Sequence, residues 1–319
     1  MSGERMRNMD APLLDRGMAE ELERVADSGL LDYRSEELPT WCPGCGYYGI
    51  THALAQAMNE LGVENRNLVV VSGIGCAGRY PFFFKGYGFH GVHGRALPIA
   101  SGVKIARPEL TVLVVGGDGD GLGIGGGHLP HAIRRNVDLT YILFDNGIYG
   151  LTKGQSSPTT PRGQITGTHP YGNPDERLDP VVLGLGYRAS FLGTGYAGEP
   201  EHLREVLVRA LSHRGFSFVP VMTPCVTFDS VNLTYENLRG RWEPVPPGHD
   251  TSDLAGALQL ALDEKHYYGV LYEEPGRPTF HDSERETAER AKGNGKGKGK
   301  SKSESKGRSR SKSKSKSKS

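Results

Sequence analysis

Thr111–Asp120 reads TVLVVGGDGD, and Leu139–Asn146 reads LTYILFDN. Each is a short apolar run with β-branched residues, closed by a glycine-rich or polar turn. That is the pattern of a strand covered on both faces. Between Gly119 and Asp145 lie 25 residues, enough for a glycine-rich passage and a helix predicted near His128–Arg135. Working outward, Leu68–Val71 predicts a third buried strand, leaving through Ser72-Gly73-Ile74-Gly75-Cys76. Phe216–Met222 predicts a last one, with Pro224-Cys225 just past its end. Strands alternating with helices imply an α/β fold: an open, mostly parallel sheet with helices on both faces. In such sheets ligands collect beyond the carboxyl ends of the strands. The polar and glycine-rich stretches after Val71, Val115, Phe144 and Met222 fall at those ends, so four distant segments are expected to meet at one edge.

The helices are read from periodicity. Ile50, Ala53, Leu54, Ala57, Met58 and Leu61 share one face of a helix that follows the tight loop Cys42-Pro43-Gly44-Cys45-Gly46. Ala96–Arg107, Pro180–Leu185 and Glu201–His213 predict three more. Arg79–Arg95, aromatic and rich in glycine, reads as a loop; its run Pro81–Phe84 reads as packing. A long polar loop extends from Asn146 to about Asp179. The expected organisation is an N-terminal arm (1–40, with a helix near Ala19–Ser28), a main domain (41–229), an extension wrapping the domain or a neighbour (230–285, with a helix near Ser252–Glu264), and a disordered Lys/Ser/Gly-rich tail (286–319).

Charge separates the tail from the rest. From Ala291 onward ten Lys, two Arg and one Glu give about +11, while the whole chain is +1, so residues 1–290 carry −10. A segment with almost no apolar residue has nothing to bury. It reads as a solvated appendage, with an electrostatic tether as the alternative. No nucleic-acid partner is expected of the acidic body. No run of 18 apolar residues occurs, so no membrane span is expected. The N-terminus lacks the apolar core of a signal peptide, and a cytoplasmic location is expected.

Gly117-Asp118-Gly119 and Asp145-Asn146 each close a predicted strand. A diphosphate carried on Mg²⁺ needs hard oxygen ligands. Asp118 offers a charged oxygen, Asn146 an amide oxygen, and Ile148 a backbone carbonyl. Glycines let the backbone approach phosphate oxygens, and a following helix N-terminus favours the anion. Gly-Asp-Gly alone also makes ordinary turns; the paired arrangement is what carries the reading.

Four cysteines, Cys42, Cys45, Cys76 and Cys225, form one close pair and two distant singles. Structural zinc sites more often show two close pairs. A [4Fe–4S] cluster needs four thiolates around a cube, which distant singles can supply. A zinc site of all four thiolates and four unrelated thiols stand as the other readings.

The strings WCPGCGYYGI, VSGIGCAGRYPFF, YGFHGVHGRALPIASGVK, GGDGDGLGIGGGH, DNGIYGLTKGQSSPT and TPCVTF together resemble the β subunit of 2-oxoacid:ferredoxin oxidoreductases, of the 2-oxoglutarate (Kor-like) type, collinearly over about residues 33–285. The resemblance implies a thiamine-diphosphate-binding fold and a reaction in which a 2-oxoacid, coenzyme A and ferredoxin give acyl-CoA, CO₂ and reduced ferredoxin, with pyruvate as the alternative substrate. It implies cluster ligation by Cys42, Cys45, Cys76 and Cys225, and Mg²⁺ ligation by Asp118, Asn146 and the Ile148 carbonyl. It implies a cofactor lining of Ile74, Gly75, Cys76, Ala77, His93, Asp118, Gly119, Asp120, Asn146, Ile148, Gly150 and Leu151. Arg79 and Lys153 are assigned to substrate carboxylates, arginine being suited to bidentate pairing. His93 is a candidate donor to phosphate or intermediate, whereas His90, His128 and His131 read as structural. The ylide-generating glutamate is expected on the α subunit, leaving this chain inactive alone. Asp229 departs from the asparagine more usual after Thr-Phe. A non-catalytic iron–sulfur carrier and a zinc-stabilised scaffold are the rival functions.

Overall fold

Val112–Val115 are buried, and around them the sheet is laid out. The computed structural model describes residues 33–229 and 233–297. Strands β1 (Leu68–Ser72), β2 (Tyr87–His90), β3 (Thr111–Gly117) and β4 (Leu139–Asp145) come first along the chain. The two-residue β5 (Ile148–Tyr149) and β6 (Gln155–Ser156) pair with each other, and β7 (Phe191–Tyr196), β8 (Phe216–Met222), β9 (Trp242–Pro244) and β10 (His266–Glu273) follow. The main sheet has eight strands in the order β2-β1-β3-β4-β8-β7-β10-β9. All neighbours run parallel except β10 against β7. The expected mostly parallel α/β sheet is therefore what the chain forms.

Alternation of period two splits the core into two layers. Leu68, Val70, Leu113, Val115, Ile142, Phe144, Val219 and Val221 face helices α1 (Tyr47–Glu60) and α6 (Pro200–Ser212). Their neighbours Val69, Val71, Val112, Val114, Tyr141, Leu143, Phe216 and Phe218 face the other layer. That layer holds α3 (Ala96–Ala106), α4 (Leu129–Arg135), α5 (Pro180–Gly186) and α8 (Leu254–Ala261). In α1 the predicted face is buried at Ile50, Ala53, Leu54, Ala57 and Met58, and Leu61 lies beyond the helix, exposed.

Several expectations need correction. Arg79–Arg95 is not a loop throughout: it holds the one-turn α2 (Tyr80–Phe83) and the edge strand β2. All four residues of β2 are exposed, so no buried alternation marks it in the sequence. Strand β7 went unpredicted because its sequence, FLGTGY, carries two glycines. They are there for α6: a Cβ on Gly193 would stand 2.6 Å from Val206, and one on Gly195 would stand 2.6 Å from Leu203. The β7–β8 ladder skips the rungs opposite Val219 and Pro220, where proline has no N–H to give.

Residues 233–273 do not wrap the domain from outside. They form α7 (Tyr235–Arg239), β9, α8 and β10, and the two strands extend the main sheet across the expected boundary at 229. The predicted arm helix near Ala19–Ser28 lies outside the described residues. Where description begins, Tyr33 stacks on Phe84 at 5.7 Å and donates to the Val63 carbonyl at 2.7 Å. Helix α9 (Phe280–Gly297) runs through Ala291 into the segment expected to lack structure; residues 298–319 lie outside the described residues. Among the described residues no helix is long and apolar enough to cross a membrane.

Leu113 is fully buried at the middle of the sheet. Leu113→Ala is expected to lower the unfolding free energy by about 2–5 kcal/mol, read as an earlier midpoint in urea denaturation.

Candidate active site

Strands β1, β3, β4 and β8 are consecutive neighbours in the sheet, so their exits Gly73–Cys76, Asp118, Asn146 and Thr223–Cys225 lie side by side. Two cavities open there. The larger, ≈ 550 Å³, is lined by all twelve residues of the expected cofactor set, from Ile74 and His93 through Asp118–Asp120 to Asn146, Ile148, Gly150 and Leu151. The smaller, ≈ 210 Å³, is lined by Cys42, Cys45, Cys76 and Cys225 together with Arg79 and Lys153. Tyr47, Cys76, Asn146, Gly150 and Leu151 line both. Arg79 and Lys153 thus sit with the thiols and do not line the larger cavity. His90, expected to be structural, hydrogen-bonds Ser72 at 3.1 Å, and neither it nor His128 nor His131 lines either cavity.

On the β3–β4 side, a π-helical turn (Gly119–Ile124) follows Asp118 directly, with no long loop before the first helical N–H groups. Asp118 is buried, and Thr159 Oγ1 lies 2.8 Å from its Oδ2 and 2.6 Å from Asp145 Oδ1. One hydroxyl has one hydrogen for two carboxylates. Burial first, and the Asp145 charge second, push the Asp118 carboxyl well above the usual carboxylate range. A cation on the cavity side is the complement that suits such a pair. Asn146 Oδ1 accepts from Ile148 N–H at 3.2 Å, which leaves the amide close against β5.

Asp120 has a second task besides lining the larger cavity. Its Oδ1 accepts from Ile74 N–H, Gly94 N–H and His93 Nδ1, each at 2.8 Å. One buried oxygen therefore pins the β1 exit and the loop before α3. It also fixes the His93 proton on Nδ1, leaving Nε2 as the ring's other polar atom. Tyr149 closes this side by donating to the Gly119 carbonyl at 2.9 Å.

The thiols are set by close backbone approach. Cys45 N–H donates to the Cys42 carbonyl at 3.0 Å, in a turn where Gly44 adopts φ +79°. Gly46 lies against the Cys225 segment: a Cβ there would fall 2.1 Å from Thr223 Oγ1 and 3.1 Å from Pro224. Trp41 Nε1 donates to the Cys76 carbonyl at 2.9 Å. A Cβ on Gly150 would stand 3.7 Å from the sulfurs of both Cys76 and Cys225. Asp229 N–H donates to the Cys225 carbonyl at 3.0 Å and Tyr48 N–H to the Cys45 carbonyl at 3.3 Å, fixing the turns that carry these two thiols. Burial, with the other sulfurs adding, raises the thiols of Cys45 (to about 12), Cys76 and Cys225. Among the described residues no three His, Cys, Asp or Glu side chains converge on a single-ion site. The Arg79 guanidinium lies 5.9 Å over the Phe83 ring. Lys153 is exposed and holds φ +79°, a left-handed conformation that is strained for a non-glycine residue.

Three residues of the site were not foreseen. Tyr47 has a signal, since it stands two residues after Cys45. Tyr149 lies inside a recognised string but between the positions that carry it. Thr159 closes the same recognised string, but nothing local ties it to Asp118; only the folded loop brings the two together.

Gly46→Ala is expected to force the Cys45 and Cys225 segments apart. It should cost about 1–3 kcal/mol, measurable as a lowered thermal midpoint of the full chain.

Comparison with known proteins agrees with this geometry. Residues 73–221 match the family described as thiamine pyrophosphate enzyme, C-terminal TPP binding domain. Residues 225–289 match the family described as the C terminal of the pyruvate ferredoxin oxidoreductase beta subunit. The chain is 48% identical over 256 residues to a 2-oxoacid:ferredoxin oxidoreductase subunit beta from Sulfolobus sp, covering 76% of this chain and 84% of that one. It is 47% identical over 198 residues to the 2-oxoglutarate oxidoreductase subunit KorB of Mycobacterium tuberculosis, covering 62% of this chain and 53% of that one. Among solved structures it resembles a 2-oxoglutarate:ferredoxin oxidoreductase from Magnetococcus marinus with 2-oxoglutarate, coenzyme A and succinyl-CoA bound. That match has a TM-score of 0.80 and 44% identity, and covers 82% of this chain and 90% of the other. An edge that gathers a Gly-Asp-Gly turn, an Asp-Asn turn and four cysteines, in a sequence this close to those relatives, places the chain in the family of 2-oxoacid:ferredoxin oxidoreductase β subunits, thiamine-diphosphate enzymes of the oxidoreductase class.

Proposed function

We propose that this chain, joined to an α subunit, carries out the coenzyme A-dependent oxidative decarboxylation of 2-oxoglutarate to an acyl-CoA and CO₂, with the electrons leaving for ferredoxin through a [4Fe–4S] cluster. The observation that carries the reading is the shared wall. The cavity lined by the thiamine-diphosphate set and the cavity lined by the four cysteines have Cys76, Asn146 and Gly150 in common. Thiamine diphosphate, when bound, serves as an electron sink for the carbanion left by decarboxylation.

In this reading Asp118, Asn146 and the Ile148 carbonyl hold the Mg²⁺ of the diphosphate, which answers the buried carboxylate pair at Asp118 and Asp145. Cys42, Cys45, Cys76 and Cys225 hold the cluster. Four thiols spread around one cavity, with no three of them converging on a single-ion site among the described residues, suit a cube of iron and sulfide better than one ion. Arg79 and Lys153 supply positive charge to substrate carboxylates at the mouth shared with the thiols. The second carboxylate of 2-oxoglutarate, and the relatives named for it, favour that acid over pyruvate. The four free cysteines fit a reducing compartment, the cytoplasm.

Asp118 and Asp120 are the acids among the residues lining the larger cavity. The first serves the cation and the second is occupied by three donors. Neither is left to protonate the aminopyrimidine, and so the α subunit brings that carboxylate.

The complex of this chain with its α subunit, purified without oxygen, is expected to reduce viologen with 2-oxoglutarate and coenzyme A and to hold about four irons per chain. Absence of turnover with every 2-oxoacid offered would leave the electron-carrier reading, and zinc in place of iron the scaffold reading. Asp118→Asn is expected to weaken thiamine diphosphate binding in Mg²⁺ by at least ~10-fold, measured by titration calorimetry, while iron content stays at the wild-type level.

A further inference from the structure

Tyr47 is 2% exposed, and its side chain stands between the two cavities, lining both. It is wedged there by rings on either side. Phe144, at the end of β4, meets it at 4.8 Å with planes 66° apart, and Trp41, beside Cys42, meets it at 5.6 Å and 87°. The ring therefore has one position, and its hydroxyl is carried to a fixed point.

That hydroxyl accepts from Asn146 Nδ2 at 3.4 Å. Ile148 N–H can only donate, so the Asn146 atom facing it at 3.2 Å is Oδ1. The two contacts agree on one orientation of the amide: Nδ2 toward Tyr47, Oδ1 toward β5. Without the phenol, Nδ2 would be a buried donor with no partner, and the amide would lose one of the two contacts that orient it. The phenol's own hydrogen has no acceptor among the described residues. The groups whose charges bear on the hydroxyl come from both sides, Cys45, Cys76 and Cys225 on one and Asp118 on the other.

We propose that Tyr47 is a positioning residue shared by the two sites: its phenol oxygen holds the Asn146 amide with Oδ1 turned to the cation, and its phenolic hydrogen is given to a sulfur of the group seated among the cysteines. This rests on the reading above that Mg²⁺-thiamine diphosphate and an iron–sulfur cluster occupy the two cavities. A hydrogen bond to a cluster sulfur favours the reduced cluster and raises its potential. An oriented outer partner of a metal ligand raises affinity for the metal. One side chain thereby tunes both ends of the electron's path.

The test is Tyr47→Phe in the full chain co-produced with its α subunit. The substitution keeps the wedged ring and removes only the oxygen. Two readouts are needed: thiamine diphosphate affinity in Mg²⁺ by titration calorimetry, and the cluster midpoint potential by redox titration followed by electron paramagnetic resonance. The expected result is ~10-fold weaker cofactor binding together with a potential more negative than wild type, at unchanged iron content. Packing alone does not move the potential when the ring is retained. A Phe variant that matches wild type in either readout overturns the proposal. If the wild-type complex itself holds no iron, or binds no thiamine diphosphate, the reading beneath it fails instead, and the two failures are told apart by the wild-type sample.

Discussion

The placement of β1, β3, β4 and β8 as consecutive, parallel neighbours is the constraint on which the rest depends. Parallel strands buried on both faces end in register, so whatever follows each strand is delivered to one edge. Gly73–Cys76, Asp118, Asn146 and Thr223–Cys225 are separated by up to about 150 residues of chain, and only this alignment makes them neighbours. The cover on both faces makes the alignment durable. Alternate residues of each strand meet α1 and α6, the others meet α3, α4, α5 and α8, and a slip of one residue would exchange the two sets.

On that frame a few buried polar contacts do the fine placement. Asp120 ties two loops and one imidazole to a single carboxylate oxygen. Thr159 bridges Asp118 and Asp145, whose carboxyls are both raised, first by burial. Gly46 lets two cysteine-bearing segments touch. Each contact joins residues from different parts of the chain at the one edge. The two cavities share a wall because Cys76, Asn146 and Gly150 are delivered there by the exits of β1 and β4, which flank β3, and by the turn after β5.

Much of this was legible from local signals. The buried strands at Leu68, Thr111, Leu139 and Phe216 carry continuous apolar runs, and the helices at Tyr47, Ala96 and Pro200 carry a 3.6-residue face. Both patterns arise from burial, which acts on each segment separately. Elements without a burial pattern were missed. Strand β2 is exposed at every residue, β7 gives two positions to glycine so that α6 can pack on it, and β9 and β10 lie where the sheet runs out of full cover. The extension after residue 229 was misplaced for the same reason, since strand pairing leaves no mark in a sequence whose residues are half exposed.

The sequence by itself determined the class of fold, because buried runs are local properties, and its family resemblance named twelve of the residues that line the larger cavity and the four cysteines that line the smaller. Only the tertiary structure decided how those residues are used. It committed the Asp120 carboxylate to loops and imidazole, put Arg79 and Lys153 beside the thiols, brought Thr159 back across its loop to Asp118, and made Tyr47 the partition between two cavities. Those are relations between segments far apart in the chain, set by which strand lies next to which, and no window of sequence contains them.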